Sequence, residues 1–364
     1  MLKKLIPAFA LIIFLIGGAA LWFAWSHFIG QSMSQTSEEV VYEVAPGLSF
    51  RAVAKDLEKN GLIKNADFFV LLAKFRGGAN KMKVGEYLLN KNMKPNEVLA
   101  QILSGKSIER SLTISEGLSI FEIAEIFDQG GLASAKEVLS TIQDPTFVKE
   151  TLGEEQSSLE GYLFPETYSF TKYTDYKTIL AQMVNRFKIV YAEVAAQSKL
   201  QTESSLPNWS RHKVVTLASI IEKETGAPNE RPLISSVFHN RLRKGMLLQT
   251  DPTIIYGKAM ESGKLEINIT KADIARPTSY NTYVIKGLPP GPIANPGKEA
   301  LLAAVKPVTS SYLYFVSHND GTHQFSEDYK NHLQAVQKFQ LDAKARQGKS
   351  WRDLSKKTDK TTKN

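Results

Sequence analysis

From Leu5 to Ile29 the chain runs "LIPAFALIIFLIGGAALWFAWSHFI" without one formally charged residue. About twenty such residues cross the hydrocarbon core of a bilayer as a helix, so residues 5–29 predict a single N-terminal transmembrane helix. A cleavable signal peptide is the rival. Against it stand the length of the run and the bulky Trp22 and Trp25, which occupy positions where cleavage needs small residues but suit an interface belt. Lys3 and Lys4 make residues 1–4 a cytoplasmic stub by the positive-inside tendency, which puts everything after Ile29 outside the inner membrane. Residues 30–40, beginning "GQSMSQTSEE", read as a flexible polar linker.

Beyond the linker the chain repeats itself. "YEVAPGLSFRAVAKDLEKNGLI" from Tyr42 and "LTISEGLSIFEIAEIFDQGGLA" from Leu112 align residue for residue, matching Val44 with Ile114, Gly47 with Gly117, Ser49 with Ser119, Val53 with Ile123, Ala54 with Ala124, Leu57 with Phe127 and Gly61 with Gly131. Each copy predicts a short strand, a Gly turn, a Ser N-cap and a helix stopped by Gly. The unit resembles the LysM modules that hold cell-wall glycans, which makes residues 41–150 a small duplicated α/β positioning module. A duplication that only spaces the next domain is the alternative.

From about residue 151 to 345 an α+β pattern rich in Pro and Tyr follows. "LEGYLFPETYSF" reads as a loop or edge because of Pro165. Tyr176 to Lys199 predicts a helix with Ile179, Met183, Phe187 and Val190 on one stripe, and Ser210 caps a second helix that is apolar nearly all round and ends "ASIIEKETG". On that helix Glu222 shares a side with Ala218 and Ser219, small residues that leave room for a ligand, while Glu224 points about 200° away. A carboxyl held against an apolar wall keeps its proton to higher pH and can serve as a general acid. Downstream, Gln249, Asp251, Tyr256, Asn281, Thr282, Tyr283 and Asn295 alternate amides, hydroxyls and Tyr faces in the manner of sugar recognition, with Glu166 and Tyr168 as outer contributors. Asp251 is the one candidate for a second working carboxylate.

Composition excludes several chemistries. With no cysteine there is no disulfide, thiolate metal site or cysteine nucleophile. The net charge of +8 is concentrated in Lys344–Asn364, where eight Lys or Arg face Asp353 and Asp359. The remainder is close to balanced, which argues against a nucleic-acid partner; residues 346–364 read as a disordered basic tail. His318, His323 and His332 fit no familiar zinc spacing, so no metal is expected.

"EGYLFPETY", "ASIIEKETG", "LQTDPTIIYG", "YNTY", "GLPPGPIANPG" and "YLYFVSHNDGTHQFS", in that order behind an N-terminal anchor, resemble the endolytic murein transglycosylase family, also called YceG-like. The resemblance implies an inner-membrane enzyme with its catalytic domain in the periplasm. Such an enzyme cuts nascent peptidoglycan strands internally, alongside peptidoglycan synthases, and Glu222 stands in the place of the catalytic glutamate. It also implies lytic chemistry without a metal or cofactor. The 6-hydroxyl of N-acetylmuramic acid attacks its own anomeric carbon, and Glu222 acts first as acid and then as base. A membrane-anchored scaffold that binds peptidoglycan without cutting it is the alternative.

Overall fold

The computed structural model describes residues 2–199 and 209–342, so the basic tail lies outside it. The chain divides into two compact units, Met1–Ser111 with Ser169–Thr174, and Leu112–Tyr168 with Asp175–Asn364. Both mix helices with two-stranded sheets, the α+β class that the sequence predicts.

The first unit opens with helix α1 (Leu2–Gly30), whose stretch Ile13–Gly30 is long and apolar enough to cross a membrane. Strand β1 (Glu39–Val44), helices α2 (Phe50–Lys59) and α3 (Ala66–Phe75), strand β2 (Gly85–Asn90), helix α4 (Pro95–Ser104) and strand β3 (Arg110–Thr113) follow. β1 and β2 pair antiparallel, Glu39 opposite Asn90 through Val44 opposite Gly85. The period of two in β1 turns Tyr42 and Val44 inward, onto a core of Val53, Leu57, Phe69, Leu89 and Ile102. The end of α1 belongs to that same core: Phe28 is 3% exposed, and the Trp25 ring stands edge-on to Phe68 at 6.1 Å and to Phe75 at 5.9 Å. Residues 31–38, expected to be flexible, are instead tied down. Ser34 N–H donates to Lys91 C=O at 3.0 Å, Lys91 N–H to Glu38 C=O at 3.0 Å, and Lys64 Nζ to the Gln31 side chain at 2.6 Å. Their polar side chains and backbone groups complete the open end of the β1–β2 ribbon, which periodicity alone does not reveal.

Both copies of the repeat take one conformation. Ser49 and Ser119 cap their helices through the N–H three residues on, and Gly47 and Gly117 turn at φ of 80° and 78°. The helix ends match bond for bond: Leu62 N–H reaches Leu57 C=O and Gly61 N–H reaches Glu58 C=O, as Leu132 reaches Phe127 and Gly131 reaches Asp128. The second copy shares its compact unit with the helix that carries Glu222.

That second unit contains α5 (Ile120–Gln129), α6 (Ala135–Ile142), α7 (Pro145–Leu152), β4 (Thr167–Phe170), α8 (Tyr176–Lys199), α9 (Arg211–Glu224), α10 (Arg231–Arg243), α11 (Asp251–Ser262), α12 (Lys271–Ala275), α13 (Lys298–Val305), β5 (Tyr314–Ser317), β6 (His323–Ser326) and α14 (Tyr329–Val336). β5 pairs antiparallel with β6. As the sequence predicts, Ser210 caps α9, and Ile179, Met183, Phe187 and Val190 of α8 are buried. α9 is buried from Val214 to Glu222, with α13 packed on α8, α9 and α10. The "GYLF" loop is buried too, a placement that requires side chains to satisfy its backbone; Asn295 Oδ1 accepts from Leu163 N–H at 2.9 Å.

Candidate active site

The last turn of α9 brings two carboxyl groups to opposite sides of one helix, as the spacing predicts. Glu222 is not held against an apolar wall. Its side chain is only 5% exposed, and both oxygens accept: Oε1 from Arg231 Nη2 at 2.7 Å and Oε2 from the N–H of Gly297 at 3.0 Å. A buried carboxylate needs such partners, and removing one leaves a charge without compensation. The room expected beside Ala218 and Ser219 is taken by the Pro-Gly loop, because Ser219 Oγ accepts from Ile293 N–H at 3.0 Å. That loop is fastened in turn to the second repeat copy. Gly117 N–H donates to Asn295 C=O at 2.9 Å, Asn295 N–H to Leu118 C=O at 2.8 Å, and Lys223 Nζ to Gly117 C=O at 3.1 Å. A Cβ added at Gly117 would stand 3.4 Å from Cγ of Glu222, so this turn is a wall of the Glu222 site.

The same Arg231 Nη2 lies 3.4 Å from Glu116 Oε2. Glu116 belongs to that turn and leans over Gly297, where an added Cβ would stand 2.0 Å from its Oε1. Burial, and after it the charge of Glu222, pushes the Glu116 carboxyl above its usual range, partly offset by Arg231. Arg231 itself is set at the start of α10 behind Glu230, whose carboxylate clasps the His323 ring at 2.7 Å and the His323 N–H at 3.1 Å.

On the other side of α9, Thr250 Oγ1 donates to Glu224, and burial, opposed by this bond and reinforced by Asp251, moves the Glu224 carboxyl up to about 7. Tyr283 Oη donates to Asp251 at 2.7 Å, and Gln249, at a left-handed φ of 52°, donates its N–H to Thr282 C=O. Asp251 and Tyr283 thus lie beside Glu224, and Gln249, Asp251 and Tyr283 are exposed or half-buried.

The other residues singled out from sequence serve the framework. Asn281 spends its amide on the carbonyls of Asp273, Ile274 and Arg276; Thr282 bonds Thr250 and Thr253; Asn295 bonds Leu118, Leu163 and Glu160. All three are at most 1% exposed, so none offers a free face to a sugar. Tyr256 is 2% exposed between Phe121 and Tyr280, and Tyr168 donates to Phe164 C=O at 2.6 Å. Glu166 is exposed but paired with Arg186 at 2.8 Å. Sequence reasoning passed over Arg231, Glu116 and Glu160. Glu160 is fully enclosed and accepts from Ile120 N–H and Asn295 Nδ2, while burial pushes it up to about 8. The signal for Glu116 was available: it is the charged residue that replaces Pro46 when the two copies are aligned. Among the described residues no group of three or more His, Asp or Glu side chains is placed to hold a metal ion.

Residues 42–338 match the sequence profile of the YceG-like family. A protein of Bacillus subtilis named endolytic murein transglycosylase is 32% identical over 348 residues, covering 89% of this chain and 91% of that protein. The protein of the same name from Streptococcus pneumoniae strain R6 is 29% identical, covering 82% of this chain and 58% of its own length. A crystal structure of a yceG-like protein from Listeria monocytogenes superposes with a TM-score of 0.55 at 32% identity, covering 82% of this chain and all of that one.

Proposed function

Because the chain belongs to the YceG-like family, we propose that it is an endolytic murein transglycosylase that cuts peptidoglycan glycan strands between N-acetylmuramic acid and N-acetylglucosamine. The observation that carries the reading is Glu222, a buried carboxyl at a helix end whose oxygens are fixed by Arg231 and Gly297 N–H. Fixed in this way, its orientation toward a substrate is set before binding, which is the geometric requirement of general acid catalysis. Glu222 gives its proton to the leaving N-acetylglucosamine oxygen. The 6-hydroxyl of the muramic residue closes on the anomeric carbon, which yields a 1,6-anhydro end and stops elongation of the strand. A hydrolase needs a second carboxylate to activate water, whereas here the nucleophile is part of the substrate. Gln249, Asp251 and Tyr283 are the exposed polar groups suited to holding glycan. The first repeat copy serves as a LysM-like glycan-positioning module, and α1 as an inner-membrane anchor that keeps the working units in the periplasm near the synthases.

The test is digestion of purified peptidoglycan by the full chain in detergent micelles, beside Glu222→Gln. Fragments one water lighter than hydrolytic products are expected from the wild type, with a loss of about 10²-fold or more in Glu222→Gln. Hydrolytic masses, or equal cutting by both proteins, would overturn the reading.

A further inference from the structure

The body of the first unit buries most of its aromatic rings and leaves Phe75 out. Helix α3 turns Ala66, Phe69, Leu72 and Ala73 into the core, and half-buried Phe68 packs on α1, its ring 5.6 Å from Phe28 and 6.1 Å from Trp25. Two turns beyond Phe68 on the same stripe, the Phe75 ring lies 5.9 Å from Trp25 and is nevertheless 75% exposed. Leu71, one turn before it, is exposed as well, and so is Trp22, one turn before Trp25 on α1. Read as the anchor, α1 spends about twenty residues of its uncharged run from Leu5 in the hydrocarbon, which brings Trp25 to the outer edge. Phe75, in ring contact with Trp25, stands at that level, where aromatic side chains gather in membrane proteins. The chain around it suits an anionic headgroup layer. From Phe68 to Gly85 there are four cations, Lys74, Arg76, Lys81 and Lys83, all exposed, and no carboxylate. Three of them lie on the turn after α3, and that turn is fixed. Gly78 N–H donates to Ala73 C=O at 2.8 Å and Lys81 N–H to Gly78 C=O at 2.9 Å, while Ala79 and Met82 pack on the core.

We propose that the end of α3 and the turn 76–84 form a second membrane contact, in which Leu71 and Phe75 enter the interface of the outer leaflet and the four cations meet anionic lipid headgroups. This rests on the reading of α1 as the anchor. The apolar side chains supply burial and the cations supply attraction to the leaflet, the two terms that hold an interfacial segment on a bilayer. The first unit is then attached at two points, α1 and Phe75, and does not swivel about the end of α1.

The chain has no cysteine, so a single reporter can be placed at will. Full-length Phe75→Cys and Ile16→Cys, each carrying an environment-sensitive fluorophore, are reconstituted in vesicles of equal parts phosphatidylglycerol and phosphatidylcholine, with lipid spin labels at the headgroup or deep in the acyl chains. The probe at position 75 is expected to shift to the blue, to be quenched by the headgroup label and to be shielded from aqueous iodide. Ile16, on the stretch long enough to cross a membrane and 65% exposed, is expected to be quenched by the deep label. Replacing Lys74, Arg76, Lys81 and Lys83 together by Gln is expected to lower the ratio of quenched to iodide-accessible probe at position 75 about tenfold, as is omitting phosphatidylglycerol. Free access of iodide to position 75, with position 16 quenched, overturns the proposal and leaves the anchor standing. Shielding from iodide without quenching by either lipid label overturns it too, since a protein surface such as a second copy then covers the face. Quenching that neither the Gln substitutions nor pure phosphatidylcholine alters overturns the headgroup assignment. If the probe at position 16 is not quenched, α1 is no anchor and the proposal falls with it.

Discussion

The two copies of the repeat have the same backbone and different surroundings. Around Gly47 there is open space, whereas a side chain at Gly117 would lie in van der Waals contact with Glu222 and Lys223. Position 46 is proline, and position 116 is a carboxyl that reaches an arginine. The helix of the first copy starts with a single serine cap. That of the second has a full capping box with Glu122, and the buried Glu160 also accepts from its first N–H. The strand, the turn, the cap and the helix stop all come from local sequence and are preserved. What separates the copies is a handful of side chains that acquired distant partners. In a duplicated fold unit, function thus lives in the few side chains that differ and not in the shared backbone.

The comparison can be broken or sharpened by paired substitutions. The largest contrast is expected from Gly117→Ala against Gly47→Ala. Each places a side chain at a positive φ and costs about 1–2 kcal/mol of stability, read by thermal melting. Gly117→Ala also puts a methyl group in contact with Glu222 and should lower transglycosylation about tenfold, while Gly47→Ala leaves it unchanged. Equal activities would remove the second copy from the site.

Glu160→Gln comes next, since an amide cannot accept from both Ile120 N–H and Asn295 Nδ2; a loss of about 1–3 kcal/mol is expected, with no counterpart in the first copy. The same residue predicts a pH dependence. Its folded-state value of about 8 lies above the ordinary 4.5, so the folded state binds the extra proton and stability falls as pH rises through that window. A melting temperature that rises with pH across the window would contradict the burial of Glu160. The smallest difference is expected between Ser49→Ala and Ser119→Ala, each about 1 kcal/mol, because both remove one N-cap acceptor of the same kind. Denaturant melts of the two variants check it.

How much was legible depends on whether a feature is local. The caps, the helix stops, the stripe on α8 and the opposite directions of Glu222 and Glu224 follow from spacing along one helix, and the structure has them all. The partners of Glu222 do not follow from spacing. Gly297 N–H comes from 75 residues downstream, and Arg231 lies across a turn whose direction no periodicity announces. The amide-rich segments misled for a related reason. An Asn in a Pro-Gly loop has the same surroundings in sequence whether its amide waits for a sugar or saturates the loop's own backbone. Asn281 and Asn295 do the second, because a buried loop must satisfy its carbonyls and N–H groups somewhere. Tyr256 likewise looked like a ring for a pyranose face and is a packed core ring against Phe121.

Phe28 has a further consequence. It stands in the last turns of α1 and is buried among the side chains of the first unit, with Trp25 and Ile29 packed against the same cluster. Read as a membrane anchor, α1 is then a bracket and not a leash. It carries the first unit at a set orientation, and residues 31–38 add no slack, since they are bonded back onto the end of the ribbon. Cutting the chain at the end of the apolar run takes an interior side chain away with the anchor. The cavity left behind costs about 3–5 kcal/mol. A secreted or solubilised form trimmed to begin at the polar segment would carry that hole in its first unit, and a biochemist comparing it with the whole protein would be comparing two first units of different stability.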